Sequence, residues 1–469
     1  MAKHPLTKKE ERHQLNRRAL IKWSVAAGAA LGVSRATIFQ ILEGSAGREV
    51  AHAAAENPVC RSVHIVAGQG GLAWYQLLWP HVDVAMANSS TFAWHKPGQA
   101  TLVNGTNKPL AIGPDTPFAS LDPSRQMTCF VAGTSGIHMN QAPSTSQLMG
   151  QNIFSIASAL QASVPAVVPL ITIGNTVTAT GAAGGALPTN VGTAADIQNL
   201  FNSAASRAGG LLRAPSDAAL YKEHYDALIQ LNRAQNRSTT RSAYTTARGA
   251  AKLLGTNLAD KLQVTDADKA RYGITAGLRT ALQEMATTLC IAVKAFKMGL
   301  TNSIVMPALA DDPHGAFAGA VPDVTVVPPA LKKMFDAFMD DLTNTVDDNT
   351  LQPLSNDTVM TICGDLPKNA LDRNAWPDGV PSNSNHVYVW GAGHLKTGWF
   401  GKLNASGPNM NTAQGFNGDG DLAPYNATET AKYAMASVAY AIAKRDERAI
   451  APFANGIEVS GKFGIPKDV

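Results

Sequence analysis

Ser303-Ile304-Val305-Met306, then Leu331 to Leu342, then Thr358-Val359-Met360-Thr361-Ile362-Cys363: this stretch decides the fold. Two short apolar runs rich in Val and Ile enclose a segment in which Leu331, Met334, Phe335, Phe338 and Leu342 recur at helical spacing. Pro328-Pro329 predicts the start of that helix, because a first turn has no use for the missing N–H groups. Runs without polar alternation are the mark of strands covered on both faces. The same type of run recurs at Ser62–Ala67, Gln126–Ala132, Val167–Ile173 and His386–Trp390. Helical patterns lie between and after them. One is capped by Ser216 and passes through Tyr225 and Leu231; another spans Leu278–Met298 and stops at Gly299; a third closes the chain over Glu429–Lys444. Strands alternating with helices predict an α/β fold with a mostly parallel central sheet and helices on both faces.

The chain has 469 residues, 45% apolar and 16% charged, enough for a large core and far from a disordered composition. Residues 176–196, mainly Thr, Ala and Gly, are expected to form a loop, and residues 210–300 a helical insertion between strands. Residues 54–469 are expected to form a single domain. The net charge of +4 is a property of the leader. Residues 1–53 hold nine Lys/Arg and four Asp/Glu, while the rest, with 30 basic and 31 acidic residues, is near neutral. No basic footprint for nucleic acid remains.

That leader has the form of an export signal. Asn16-Arg17-Arg18-Ala19-Leu20-Ile21-Lys22 precedes a weakly apolar run, Trp23 to Val33, and Ala51-His52-Ala53 offers a small-x-small cleavage site. Arg17 and Arg18 thus predict recognition by the twin-arginine translocase and a periplasmic or secreted protein that is exported folded. The apolar run is shorter than the ~20 residues of a stable membrane span. With no Cys-x-x-Cys and no acidic residue at the right distance after Gly68-Gln69-Gly70-Gly71, haem, iron–sulfur and nicotinamide cofactors are not expected. Cys60, Cys129, Cys290 and Cys363 allow either buried thiols or bridges.

Gly70-Gly71 and Pro80 after the first strand, Asp312-Pro313-His314 after Ser303–Met306, Gly364-Asp365 after Thr358–Cys363, Arg373-Asn374-Ala375-Trp376, and Gly391-Ala392-Gly393 after Val387–Trp390 follow one another in a distinctive order. In this order, and in its leader, the chain resembles the twin-arginine-exported, sulfatase-like family called domain of unknown function 1501. The resemblance implies an alkaline phosphatase/sulfatase-like fold and a divalent metal (Zn, Mn or Ca) held by Asp312, His314 and Asp365. Several positions depart from the family's pattern. Ala73 stands where the family has an acidic ligand, and Asn374-Ala375 where it has Asp-His. Alanine has no donor atom, and a neutral amide oxygen is a weak substitute for a carboxylate.

The residues add candidates of their own. His386 and His394 flank an aromatic strand beside Tyr388, Trp390, Trp399 and Phe400, a setting suited to stacking and hydrogen bonding a sugar or other ligand, or else to plain packing. Asn417-Gly418-Asp419-Gly420-Asp421 spaces oxygen ligands like a calcium loop, but Leu422 and Thr428 occupy the positions that need Gly and Glu. Asp340, Asp341, Asp347 and Asp348 read as a solvated acidic face. Two functions follow as expectations. One is an exported sulfatase-like protein with a degenerate metal site that binds a glycan or a protein. The other is a metal-dependent hydrolase of phosphate or sulfate esters.

Overall fold

The computed structural model describes residues 59–67, 72–87, 101–103, 105, 107–134, 146–164, 166–174, 182, 184–201, 223, 226–227, 253, 257–309, 322–363, 382–406 and 409–467. Arg17, Arg18, Ala51 and Ala53 of the leader, and the helix expected from Ser216, lie outside the described residues. The chain falls into two compact units. Among the described residues the smaller takes 164–167 and 195–263, and the larger holds everything else. The expected insertion at 210–300 is therefore divided between them.

Strands in chain order are β1 (Arg61–Val66), β2 (Thr101–Val103), β3 (Leu110–Ile112), β4 (Thr128–Thr134), β5 (Gln147–Leu148), β6 (Gln151–Asn152), β7 (Leu170–Ile173), β8 (Thr189–Val191), β9 (Ser303–Pro307), β10 (Thr358–Cys363), β11 (Ser384–Trp390), β12 (Gly398–Phe400), β13 (Lys402–Ser406), β14 (Asn409–Phe416) and β15 (Leu422–Pro424). Helices are α1 (Leu72–Leu78), α2 (Val82–Ala87), α3 (Ile153–Leu160), α4 (Ala194–Leu200), α5 (Leu258–Leu262), α6 (Asp266–Tyr272), α7 (Thr280–Lys297), α8 (Pro322–Asn344), α9 (Ala427–Ile442) and α10 (Glu447–Ala454).

In the larger unit, eight strands form one sheet in the order β8-β7-β9-β1-β10-β11-β4-β12. β11 alone is reversed; it runs antiparallel to both β10 and β4, and every other pairing is parallel. The expected α/β fold with a mostly parallel central sheet is thus present. Helices cover both faces. Val387 and Val389 point into a core shared with α3, α9 and α10. Tyr388, one residue over and so on the other face, meets Trp79, whose ring in turn meets Phe335 of α8.

Helix ends follow local chemistry. α7 stops in a Schellman turn: Leu300 N–H donates to Ala295 and Gly299 N–H to Phe296, with Gly299 at φ 67°. Asn426 caps α9, accepting from Glu429 N–H at 3.1 Å. Two expectations need correction, and the open alternative for the cysteines is decided. α8 begins at Pro322, so Pro328 and Pro329 lie inside it and remove two N–H donors from its early turns. The expected loop at 176–196 contains β8, which pairs with β7 at the sheet edge. All four cysteines are buried free thiols. Burial pushes Cys60, Cys290 and Cys363 up to about 12, which leaves them protonated and unreactive. Among the described residues no helix is long and apolar enough to cross a membrane. In the smaller unit, α4 and α5 are tied by Gln198, whose amide donates to the Leu262 carbonyl at 3.1 Å.

Candidate functional site

The carboxyl ends of β9, β1 and β10 form the centre of one sheet edge. Val66 pairs with Pro307 on one side and Cys363 on the other. Ala308 N–H continues the ladder to Val66, and Ala67 N–H to Cys363, both at 2.9 Å. The chain leaves β9 on one flank of β1 and returns as β10 on the other. A crossing of this kind opens a crevice beyond the strand ends, where open α/β sheets bind ligands. The segments that follow carry the predicted ligands. Asp312 and His314 come after β9, and Asp365 comes two residues after Cys363. All three, with Asn374 and Ala375, lie outside the described residues. Ala73 falls in α1. Among the described residues no group of three His, Cys, Asp or Glu can hold a metal.

His386 stands two residues beyond the Ile362–Tyr388 pair, toward the edge where β10 ends, and it is 2% exposed. It forms a cluster on the α1–α2 side of the sheet. Its ring lies 5.1 Å from Trp399, which is in register with Cys129 of β4. The ring of His81, the residue before α2, lies 4.6 Å from the same indole. Tyr388 and Trp79 extend the group. The Trp399 backbone is fixed by its own N–H to the Lys108 carbonyl at 3.1 Å and by the Asn107 amide, which donates to its carbonyl at 2.6 Å.

Electrostatics keep both imidazoles neutral. Burial lowers His386 to about 3. Burial also holds His81 well below its ordinary value, helped by His386 and Lys108. The Gly401 carbonyl, placed to accept from the imidazole as well as from Lys108 Nζ at 2.8 Å, opposes this. Partial burial lowers Lys108 to about 8 and raises the Asp83 carboxyl. His81, Trp79 and Lys108 escaped the sequence reading. The one local signal for His81 was its position just before a short helix that starts at Val82.

His394 lies at the opposite end of β11, so the two histidines do not share a site. Its Nδ1 accepts from Arg445 Nε at 3.3 Å. Burial, with Arg445, Lys444 and Arg125, lowers it to about 4. Arg445 also binds the Gly393 and Pro466 carbonyls, so this group fastens the turn after β11 to the end of α9.

The Asn417–Asp421 loop is a turn held from within. Asn417 Oδ1 accepts from the Asp419 and Asp421 N–H groups, and Lys462 pairs with Asp419. The acidic face is only partly solvated. Asp341 binds Arg271 and Tyr272 Oη, and Asp347 is fully buried against Arg61.

Compared with protein-family models, with curated proteins and with solved structures, the chain gives no match.

Proposed function

We propose that the chain is an exported sulfatase-like protein, of the type of domain of unknown function 1501, that binds a ligand at the carboxyl edge of its sheet through a degenerate metal site. The observation that carries this reading is the level ending of β9 and β10 on either side of β1. That arrangement starts the segments of Asp312, His314 and Asp365 from two strands that flank a third. The large, mostly parallel sheet agrees with the general α/β architecture that the resemblance implies. Ala73, Asn374 and Ala375 weigh against a full set of ligands. Three donors do not make the donor set that a two-metal ester clamp requires, so no catalytic step is assigned to a metal here. The leader implies passage through the twin-arginine translocase to the periplasm or beyond.

The second reading is a metal-dependent hydrolase of phosphate or sulfate esters built on Asp312, His314 and Asp365. The same strand ends favour it. Chromogenic phosphate and sulfate esters, assayed with added Zn, Mn or Ca, separate the two. Turnover no greater than that of His314→Ala supports binding. Turnover abolished by His314→Ala establishes the hydrolase.

A further inference from the structure

One stripe of α8 lines an open groove of about 360 Å3, a size that suits a small ligand. Pro329, Lys333, Ala337 and Asp340 recur along it at helical spacing. Arg271, in the last turn of α6, and Asp115 line the groove from outside α8. Asp115 sits in a turn closed by Gly113 and Thr116, through bonds of 2.9 and 3.1 Å. Just beyond that turn, the Phe118 N–H donates to Asp336 Oδ1 at 2.7 Å and ties the segment to α8.

Six charged side chains line the groove, and three of them are already matched. Arg271 grips both oxygens of Asp341, at 2.5 and 2.8 Å, and also meets Asp268 at 3.1 Å. Lys332 pairs with Asp336. Among the described residues, Asp115, Lys333 and Asp340 have no ion-pair partner. Burial raises the Asp115 carboxyl, and the cation that acts on it, Lys332, is the one shared with Asp336. Lys333 lays its stem along α6's end, where a Cβ on Gly273 would come 3.0 Å from its Cδ. The unmatched charges therefore have an order. Asp115 and Lys333 mark one end, beside Lys332. Asp340 marks the other, two helical turns from Lys333 and about 10 Å along the axis.

We propose that this groove binds a cationic α-amino acid, one whose side chain ends in an amine or a guanidinium. Its α-ammonium meets Asp115, its α-carboxylate meets Lys333, and its side-chain cation reaches Asp340, with the methylene chain lying over Ala337. Two carboxylates and one ammonium of the groove thus meet two cations and one carboxylate of the ligand, matched in kind and in order. An acidic amino acid presents the wrong charge to Asp340, and an apolar one presents none. The site shares no residue with Asp312, His314 and Asp365, so it stands or falls apart from the metal-site reading.

The test titrates the full chain with L-lysine and L-arginine at constant ionic strength, with L-norleucine and L-glutamate as controls. Saturation-transfer NMR on the amino acid's own signals reads the binding. Lysine and arginine should saturate, with norleucine and glutamate at least about fivefold weaker, the upper value of one solvent-accessible ion pair. Asp340→Asn, at an exposed position, and Asp115→Asn should each weaken lysine by about the same factor. Lack of saturation at tens of millimolar, equal binding of glutamate, or undiminished lysine binding in either variant would overturn the proposal and leave the groove as a solvated charged surface.

Discussion

Pro307 and Cys363 stand level on either side of Val66, each paired with it across a parallel ladder. The segments that carry Asp312 and His314 on one hand and Asp365 on the other therefore follow two strands that flank β1. The proposed function rests on this relationship, and the surrounding structure makes further predictions.

Arg61 and Asp347 form a buried ion pair at the opposite edge, where β1 begins, with side-chain exposures of 5% and 0%. Asp347→Ala leaves the guanidinium buried without its counter-charge and should cost about 3–5 kcal/mol in urea unfolding. Replacing both partners by apolar residues, Arg61→Met with Asp347→Leu, should recover most of that loss. A double variant as unstable as the single one would show that the pair is not what fails.

His64 lies in the middle of β1, fully buried, with Nδ1 2.7 Å from Thr361 Oγ1. Burial lowers it to about 3 from an ordinary 6.5. The folded state resists the proton that the unfolded chain takes up. Its contribution to stability is therefore complete above pH 6.5 and is lost as pH falls from there toward 3. The slope is about 1.4 kcal/mol per pH unit. His64→Leu should flatten the stability profile by that slope over this window. An unchanged profile would mean that the His64 ring is not held neutral.

Gly398 has φ 100°, and a Cβ there would strike the Lys108 carbonyl. Gly398→Ala should cost at least about 1–3 kcal/mol from backbone strain alone. It should also loosen β12, which red-shifts the emission of the buried Trp399. A variant with native stability and native emission would show that β12 is not locked in this way.

The sheet was legible because its strands are covered on both faces and read as uninterrupted Val- and Ile-rich runs, as in Thr358–Cys363, where expected and observed limits coincide. β8 was not legible. It is a three-residue edge strand, Thr-Asn-Val, with one face in solvent, and its composition matches the loop around it. The start of α8 was misplaced because proline favours a first turn but tolerates a later one when packing holds the helix. Nor did local sequence reveal the burial of Asp347, since its partner Arg61 is 286 residues away. The site was half legible. His386 was visible beside its aromatic neighbours, whereas His81 meets them only through a fold that brings the residue before α2 onto Trp399 of β12.

The most direct measurement is the metal content of the mature protein, purified without chelator, by elemental mass spectrometry. With Ala73 and Ala375 offering no donor and Asn374 only a neutral amide oxygen, the account predicts well below one equivalent of Zn, Mn or Ca, in His314→Ala as in the parent chain. One to two tightly held equivalents that disappear in His314→Ala would contradict the degenerate site and establish the metal-dependent hydrolase instead.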